Sequence, residues 1–250
     1  MVDERRAVPT RWDAALFWGK AWGLRAQRGL RNLRERPRRW PIQIGSDEIW
    51  QDAWAIRTPL WTEADEAERE FEMGKVENLR QAAARLHGLV VDVGGMFSFW
   101  RQVGRASRQR GFRVGRMLQQ GCVVPAVGGG LCQLTNALYE AALRSGCEIV
   151  ERHGHSVRMP NAPVHDATVA WNYVDLRFRA RQAMRLAVRV EDGALSVAVQ
   201  YREAAKFAPV VLEVLPESAA VGSAESCGSC GEVGCFRHEA RRAVSERKSL

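Results

Sequence analysis

The residue types best suited to chemistry stand together in Gly128-Gly129-Gly130-Leu131-Cys132-Gln133, where three glycines lead into a cysteine. Glycines permit positive φ and close backbone approach, so N–H groups from Gly129, Gly130 and Leu131 onward can form a concave donor nest as a helix begins. The positive end of that helix favours a thiolate, which makes Cys132 a candidate nucleophile. The same N–H groups can stabilise an oxyanion, so one turn supplies both attack and charge stabilisation. Gln133 lies in the same turn, and Asn136 and Tyr139 share the helix face of Cys132. Downstream, Glu151-Arg152-His153-Gly154-His155-Ser156 offers two imidazoles that point to one side if the segment is extended. Either can serve as base, with His155 preferred over His153; Asp166, preferred over Asp175, can orient the ring in the order Cys, His, Asp. The same set also reads as a non-catalytic binding module, in which the nest holds a carboxylate or phosphate and the histidines add donors. The Lys and Ser/Thr of a P-loop are absent.

A second constellation is Cys227, Cys230, Cys235 and His238, spaced C-x2-C-x4-C-x2-H among glycines that let the backbone curl around one ion. Three thiolates and an imidazole suit tetrahedral Zn²⁺ in a closed, structural site, with an iron–sulfur cluster as the competing occupant. Cys122 and Cys147 are expected to be structural thiols, and His87 a cation at a helix C-terminus.

Composition sets the frame for these groups. The 250 residues are 46% hydrophobic and 26% charged, globular proportions that exclude wholesale disorder or a collagen-like chain. Of the net charge of +8, residues 1–40 carry +7 with 11 Lys/Arg and 4 Asp/Glu, leaving a body of +1. The body is therefore not a nucleic-acid-binding domain, despite a pI of 9.6. No apolar run approaches the roughly 20 residues that span a bilayer. The stretch Ala14 to Leu24 is interrupted by Gly19 and Lys20 and lacks a cleavage signal. These features lead us to expect a cytoplasmic protein, or one peripheral to a membrane, acting on a small-molecule or peptide ligand.

The elements that must position the chemistry follow from periodicity. Arg11 to Trp40 reads as a helix with Trp18, Trp22, Ala26, Leu30 and Leu33 on one line and Arg25, Arg28, Arg31 and Arg34 off it. The simplest expectation is docking through the apolar line with the arginines in solvent; an anionic membrane surface is the other use of such a segment. Thr62 to Leu86 and Leu131 to Arg144 read as helices closed by Gly88 and Gly146. Met96 to Trp100 fits strand or turn. Short strands are expected at Phe112–Leu118, Cys147–Arg152, Ala167–Trp171, Asp175–Phe178, Leu186–Val190, Leu195–Tyr201 and Val210–Val214, with a turn at Asp192-Gly193. The implied class is α+β, helices followed by a mainly antiparallel sheet, with a small Cys-rich tail. The chain divides into a basic arm at 1–46, a domain at 47–216, and a linker and tail at 217–250.

Several motifs carry a resemblance. Phe97-Ser98-Phe99 with Val103-Gly104, Gly128-Gly129-Gly130-Leu131-Cys132-Gln133-Leu134-Thr135 with Leu138-Tyr139, Glu151-Arg152-His153-Gly154-His155-Ser156, Asp166-Ala167-Thr168-Val169 and Asp175-Leu176 occur in order between 88 and 180. This segment resembles the VanW family, associated with bacterial glycopeptide-resistance clusters. The resemblance implies a role near the cell wall; joined to the Cys132 constellation it leads us to expect thiol-dependent amide or acyl chemistry on a peptidoglycan-type peptide, with the non-catalytic binding module as the alternative. Gly94-Gly95 stands where the family has Pro-Gly, and His165 where it has Gly before the Asp-Ala-Thr motif. The Cys-rich tail lies outside the resemblance.

Overall fold

The computed structural model describes residues 10–45, 49–61, 69–119, 122–155 and 166–203. The fold is α+β: four helices, α1 (Arg11–Glu35), α2 (Arg69–Ala83), α3 (Phe99–Val103) and α4 (Leu131–Arg144), pack with nine described strands that pair only antiparallel. The largest sheet has the order β1 (Gln51–Pro59), β9 (Ala194–Tyr201), β8 (Met184–Glu191), β2 (Leu89–Val91). A second sheet joins β3 (Met96–Ser98), β7 (Arg177–Arg179) and β6 (Glu148–Glu151), and a hairpin joins β4 (Val114–Gln119) to β5 (Cys122–Val127).

Strand β9 presents Leu195, Val197, Val199 and Tyr201 to the core at alternate positions, the period-two pattern of a sheet with one wet face. Its hairpin with β8 turns at Asp192 and Gly193, with φ of 50° and 67°, as a two-residue type I′ turn requires. Helix α4 fills the inner face, burying Leu131, Leu134 and Leu138 at helical spacing. Truncating Leu134 or Leu138, both fully buried, would cost about 2–5 kcal/mol. Phe97 and Phe178 stack across β3 and β7 with ring centroids 4.5 Å apart, tying the second sheet to the same core.

The helix expected at 131–144 forms with those bounds. Of the helix expected at 62–86, the described part runs from Arg69 to Ala83, and Val210–Val214 lies outside the described residues. Ala167–Trp171 makes no ladder; only Ala170 forms a bridge, to Val174. Its donors go elsewhere, the Ala167 N–H to the Asn136 side chain and the Thr168 N–H to the His153 carbonyl. Strand β1, which periodicity did not reveal, pairs along β9 and closes that edge.

The orientation of α1 reverses the expectation. Its body-facing positions include Ala21, Arg25, Arg28, Asn32 and Glu35, while Trp12, Trp22, Leu30 and Leu33 are 80, 73, 66 and 71% exposed. Arg25 and Arg28 turn inward because acceptors wait there, while Arg31 and Arg34 stay exposed as expected. Arg25 Nε donates to the Trp171 carbonyl at 3.1 Å, and Arg28 donates to both oxygens of Glu151 and to the Tyr173 carbonyl. Arg177 then reaches Asn32, at 2.6 Å, and Glu35. Ion pairing, not apolar burial, fastens this helix.

Candidate active site

The site begins with backbone geometry. Gly128 and Gly130 take φ of 81° and 91°, the left-handed region that side chains disfavour, and Gly130 caps the N-terminus of α4. Between them Gly129 presses against β4, where a Cβ would stand 2.3 Å from the Gly115 carbonyl carbon. Fully buried Asn78 of α2 fixes this turn, donating to the Gly129 carbonyl at 2.9 Å and the Arg113 carbonyl at 3.0 Å while accepting from the Arg113 N–H at 2.7 Å. Cys132 thus sits as the second residue of α4. Of the donor nest expected from sequence, the Gly129 N–H is taken by the Ala126 carbonyl at 3.0 Å and the Gln133 N–H by the Gly130 carbonyl at 3.2 Å. This leaves the N–H groups of Leu131 and Cys132 as the leading ones without an acceptor inside the helix.

Four groups converge on or behind the sulfur. The His155 ring and the Val169 N–H hydrogen-bond to Cys132, and the Thr168 hydroxyl stands 3.4 Å from Sγ. His155 Nδ1 is 2.7 Å from Asp166 Oδ1, and the His155 backbone N–H donates to the other carboxylate oxygen. With Nδ1 engaged by Asp166, Nε2 is the ring nitrogen left to serve the sulfur. One carboxylate grips both the backbone and the ring of one histidine, which restricts imidazole rotation.

The segment carrying Asp166 and Thr168 is held by α4 itself. Asn136 Oδ1 accepts the Ala167 N–H at 2.6 Å, and the Thr135 hydroxyl donates to the Ala167 carbonyl at 2.5 Å. One residue is clamped through both of its backbone polar groups, with Asp166 on one side and Thr168 on the other.

This environment sets the charges. Burial pushes the Cys132 thiol up, but the hydrogen bond and charge of His155, with Thr168 and Val169, outweigh it and leave the thiol below its ordinary value. Burial pulls His155 down, yet Asp166 and Cys132 push it up to about 10. Asp166, despite burial, is held below the usual carboxylate range by His155. All three shifts favour the ionised forms, thiolate, imidazolium and carboxylate in sequence.

The other residues of the sequence-derived set are placed differently. His153 is half exposed, with Nε2 3.3 Å from Glu151. It does not share a side with His155 because β6 ends at Glu151 and Gly154 lies beyond the strand. Asp175 is 1% exposed and belongs to another cluster, accepting from Ser98 Oγ at 2.6 Å, Trp100 N at 3.1 Å and Arg177 Nε at 2.8 Å. Gln133 joins α4 to β1 through Thr58 and Pro59, so its amide is engaged by the protein. Cys147 is buried and pushed up to about 11, an unreactive thiol beside Met184. His87 departs from the expected cation: burial pulls its pKa down, and its Nδ1 accepts from the Val188 N–H, so the ring is neutral.

Thr168, Thr135 and Asn78 had no role in the sequence reading. Thr168 was accessible to it: in an extended Asp-x-Thr, residues two apart share a side, so a base-orienting Asp166 brings Thr168 along. No local signal marks Asn78, which acts across 51 residues. Among the described residues, no group of three or more His, Cys, Asp or Glu side chains could hold a metal. Cys227, Cys230, Cys235 and His238 lie outside the described residues. A cavity of about 320 Å³ lined by Asp52, Arg57, Arg189 and Gln200 opens on the large sheet and includes none of the cysteine-site residues.

Fold and site together define an α+β protein with a helix-start cysteine backed in series by histidine and aspartate. The family is VanW-like: the model described as "VanW like protein" matches residues 74–201, and the chain belongs to that family. Vancomycin B-type resistance protein VanW of Enterococcus faecalis (strain ATCC 700802 / V583) is 35% identical over 115 residues, 44% of this chain and 42% of that protein. YoaR of Bacillus subtilis (strain 168) is 32% identical over 115 residues, 46% of this chain and 38% of that protein. The chain therefore spans about two fifths of the length of each of these relatives. No solved structure matches it.

Proposed function

We propose that this protein performs thiol-dependent acyl chemistry, cleaving or transferring an amide-linked acyl group of a peptidoglycan-type peptide. The observation that carries the reading is the hydrogen-bonded series Cys132, His155, Asp166 at the N-terminus of α4. The name of the enterococcal relative supports the cell-wall context, and hence a substrate linked to glycopeptide resistance.

The reaction follows from the charges. The Cys132 thiolate attacks the carbonyl carbon, a C–S bond forms, and the carbonyl electron pair moves onto oxygen facing the first-turn N–H groups of α4. Collapse restores the carbonyl and expels the amine, which takes the proton held on His155. A thioester and a neutral imidazole remain. Water or an acceptor amine then gives its proton to His155 and attacks the thioester, releasing acid or amide and restoring the thiolate and imidazolium. Asp166 keeps the ring aimed and stabilises its positive form.

The test uses the full chain with peptidoglycan-derived peptides and reads Cys132 by intact-mass and peptide mapping. A trapped acyl adduct on Cys132, lost in Cys132→Ser together with product, is expected. Equal peptide affinity in wild type and Cys132→Ser, with neither adduct nor product, would overturn the reading in favour of a binding module.

We also propose that Cys227, Cys230, Cys235 and His238 bind one structural Zn²⁺, on the strength of their spacing and donor set. Elemental analysis of purified protein is expected to give one zinc per chain without visible absorption. Brown protein containing iron and sulfide would overturn it.

A further inference from the structure

Helix α1 leaves its apolar side uncovered. Trp12, Leu16, Trp22, Leu30 and Leu33 recur along the side opposite Ala21 and Arg28, each more than half exposed. Soluble surfaces rarely keep such a row of large apolar groups without a partner. The helix cannot reverse to hide them, because Arg28 is bound to Glu151, and Asn32 and Glu35 to Arg177.

The charge around this side selects the occupant. Lys20, Arg34, Arg36, Arg38 and Arg39 are exposed on the helix and the segment that follows it. The two acidic residues of α1 are both engaged, Asp13 by Thr10 at its N-cap and Glu35 by Arg31 and Arg177. The outward surface therefore combines tryptophan and leucine with cations that no acid of the helix neutralises. That combination fits the headgroup boundary of an anionic bilayer, where indole rings settle and cations meet lipid phosphate. A second copy of the chain would set these cations against their own kind. Nucleic acid would call on Arg25 and Arg28, which the body already holds. The helix has 25 residues, about 38 Å, and no described helix is apolar enough to cross a membrane, so α1 would lie along the surface.

We propose that the outward face of α1 docks this protein flat on an anionic phospholipid surface, leaving the cysteine site attached through the ionic contacts beneath the helix. The inference is independent of the reaction assigned to Cys132.

The test is cosedimentation of the full chain with vesicles of phosphatidylcholine alone or with about one-third phosphatidylglycerol. Binding should be at least about tenfold stronger to the anionic vesicles. Trp22→Ser with Leu30→Ser, at exposed positions where folding is not at stake, should lower binding about tenfold or more. Lys20→Gln with Arg34→Gln should remove most of the preference for anionic lipid. Cys132→Ser should bind like wild type. Equal binding to both vesicles, or none, overturns the proposal. So does self-association by light scattering that the Trp22/Leu30 variant abolishes, since the face would then belong to a second copy.

Discussion

Strand β6 ends between two charged clusters that share elements and differ in kind. Glu151 enters a closed network with Arg28, Arg177 and Asp175, in which side chains are 1 to 6% exposed and each charge meets an opposite one. Four residues later His155 enters a series open to solvent at its margin, with side-chain exposures of 15% for His155 and 22% for Asp166. Both contain a carboxylate bound to a cation. The first joins arginines, whose charge is permanent, and so can only hold elements together. The second joins an imidazole to a thiol, two groups that exchange a proton, and so can pass one to a substrate. Pairing gives a structural joint or a reactive site according to whether its members titrate.

The largest effect should come from removing the group that distinguishes the two clusters. Cys132→Ala is expected to remove the fast phase of iodoacetamide labelling from the described thiols, because Cys122 and Cys147 are buried; labels on Cys227, Cys230 and Cys235 are read separately by peptide mapping. Folding should survive, since the side chain lost is small. His155→Asn comes next. It leaves the burial that pushes the thiol up and removes the partner that pulls it down. The midpoint of wild-type alkylation should lie below 9.0, because the thiol is held below its ordinary value by a ring that is itself pushed up to about 10. In the variant the midpoint should move upward, since burial is then opposed only by Thr168 and Val169, and the rate near neutrality should fall by about tenfold or more. A pH profile unchanged by the substitution would detach the histidine from the thiol.

Arg28→Met should act on the other cluster alone. It removes the nearest cation from buried Glu151 and leaves only the longer contact to Arg177 at 3.6 Å and those of the exposed Arg31 and His153; breaking one side of a buried pair costs about 3 kcal/mol. Thermal melting should fall by several degrees, and protease should cut within α1 earlier. Cys132 alkylation should stay within about twofold of wild type, since His155 is held by Asp166 and not by Glu151. A loss of alkylation matching that of His155→Asn would show the two clusters to be one.

These contrasts explain what the sequence revealed and what it hid. Helix α4 and its glycine turn were legible because the information is local: apolar spacing, a glycine start and Gly146 beyond the end. The choice of His155 and Asp166 was legible as a preference, not as a geometry, because it depends on where β6 stops and on Ala167 being clamped by Thr135 and Asn136. The closed network was hidden. Its members come from α1, β6 and β7, and the contact between Arg28 and Glu151 crosses 123 residues. Periodicity therefore misread α1, since an apolar line normally marks the buried side and only the distant acid explains why arginines take it. Strand β1 was missed for a related reason: with Trp54 exposed and Arg57 beside it, its burial alternates poorly, and its pairing partner β9 lies far along the chain.

The smallest expected effect tests the boundary between the clusters most finely. His153 lies between Glu151 and His155 in the chain, and either assignment would have seemed natural from its position. Its ring leans on Glu151 at 3.3 Å while about half its side chain remains in water, where such a pair contributes little. Its carbonyl, not its ring, serves the cysteine site, accepting the Thr168 N–H at 2.7 Å. His153→Ala keeps that carbonyl and discards the ring. Alkylation of Cys132 should therefore change by less than about twofold, with the pH midpoint unmoved, and stability should shift by no more than about 0.5 kcal/mol. A displaced midpoint would mean that the His153 charge reaches the sulfur, and the line drawn between a fixed joint and a titrating site would then have to pass through His153 itself.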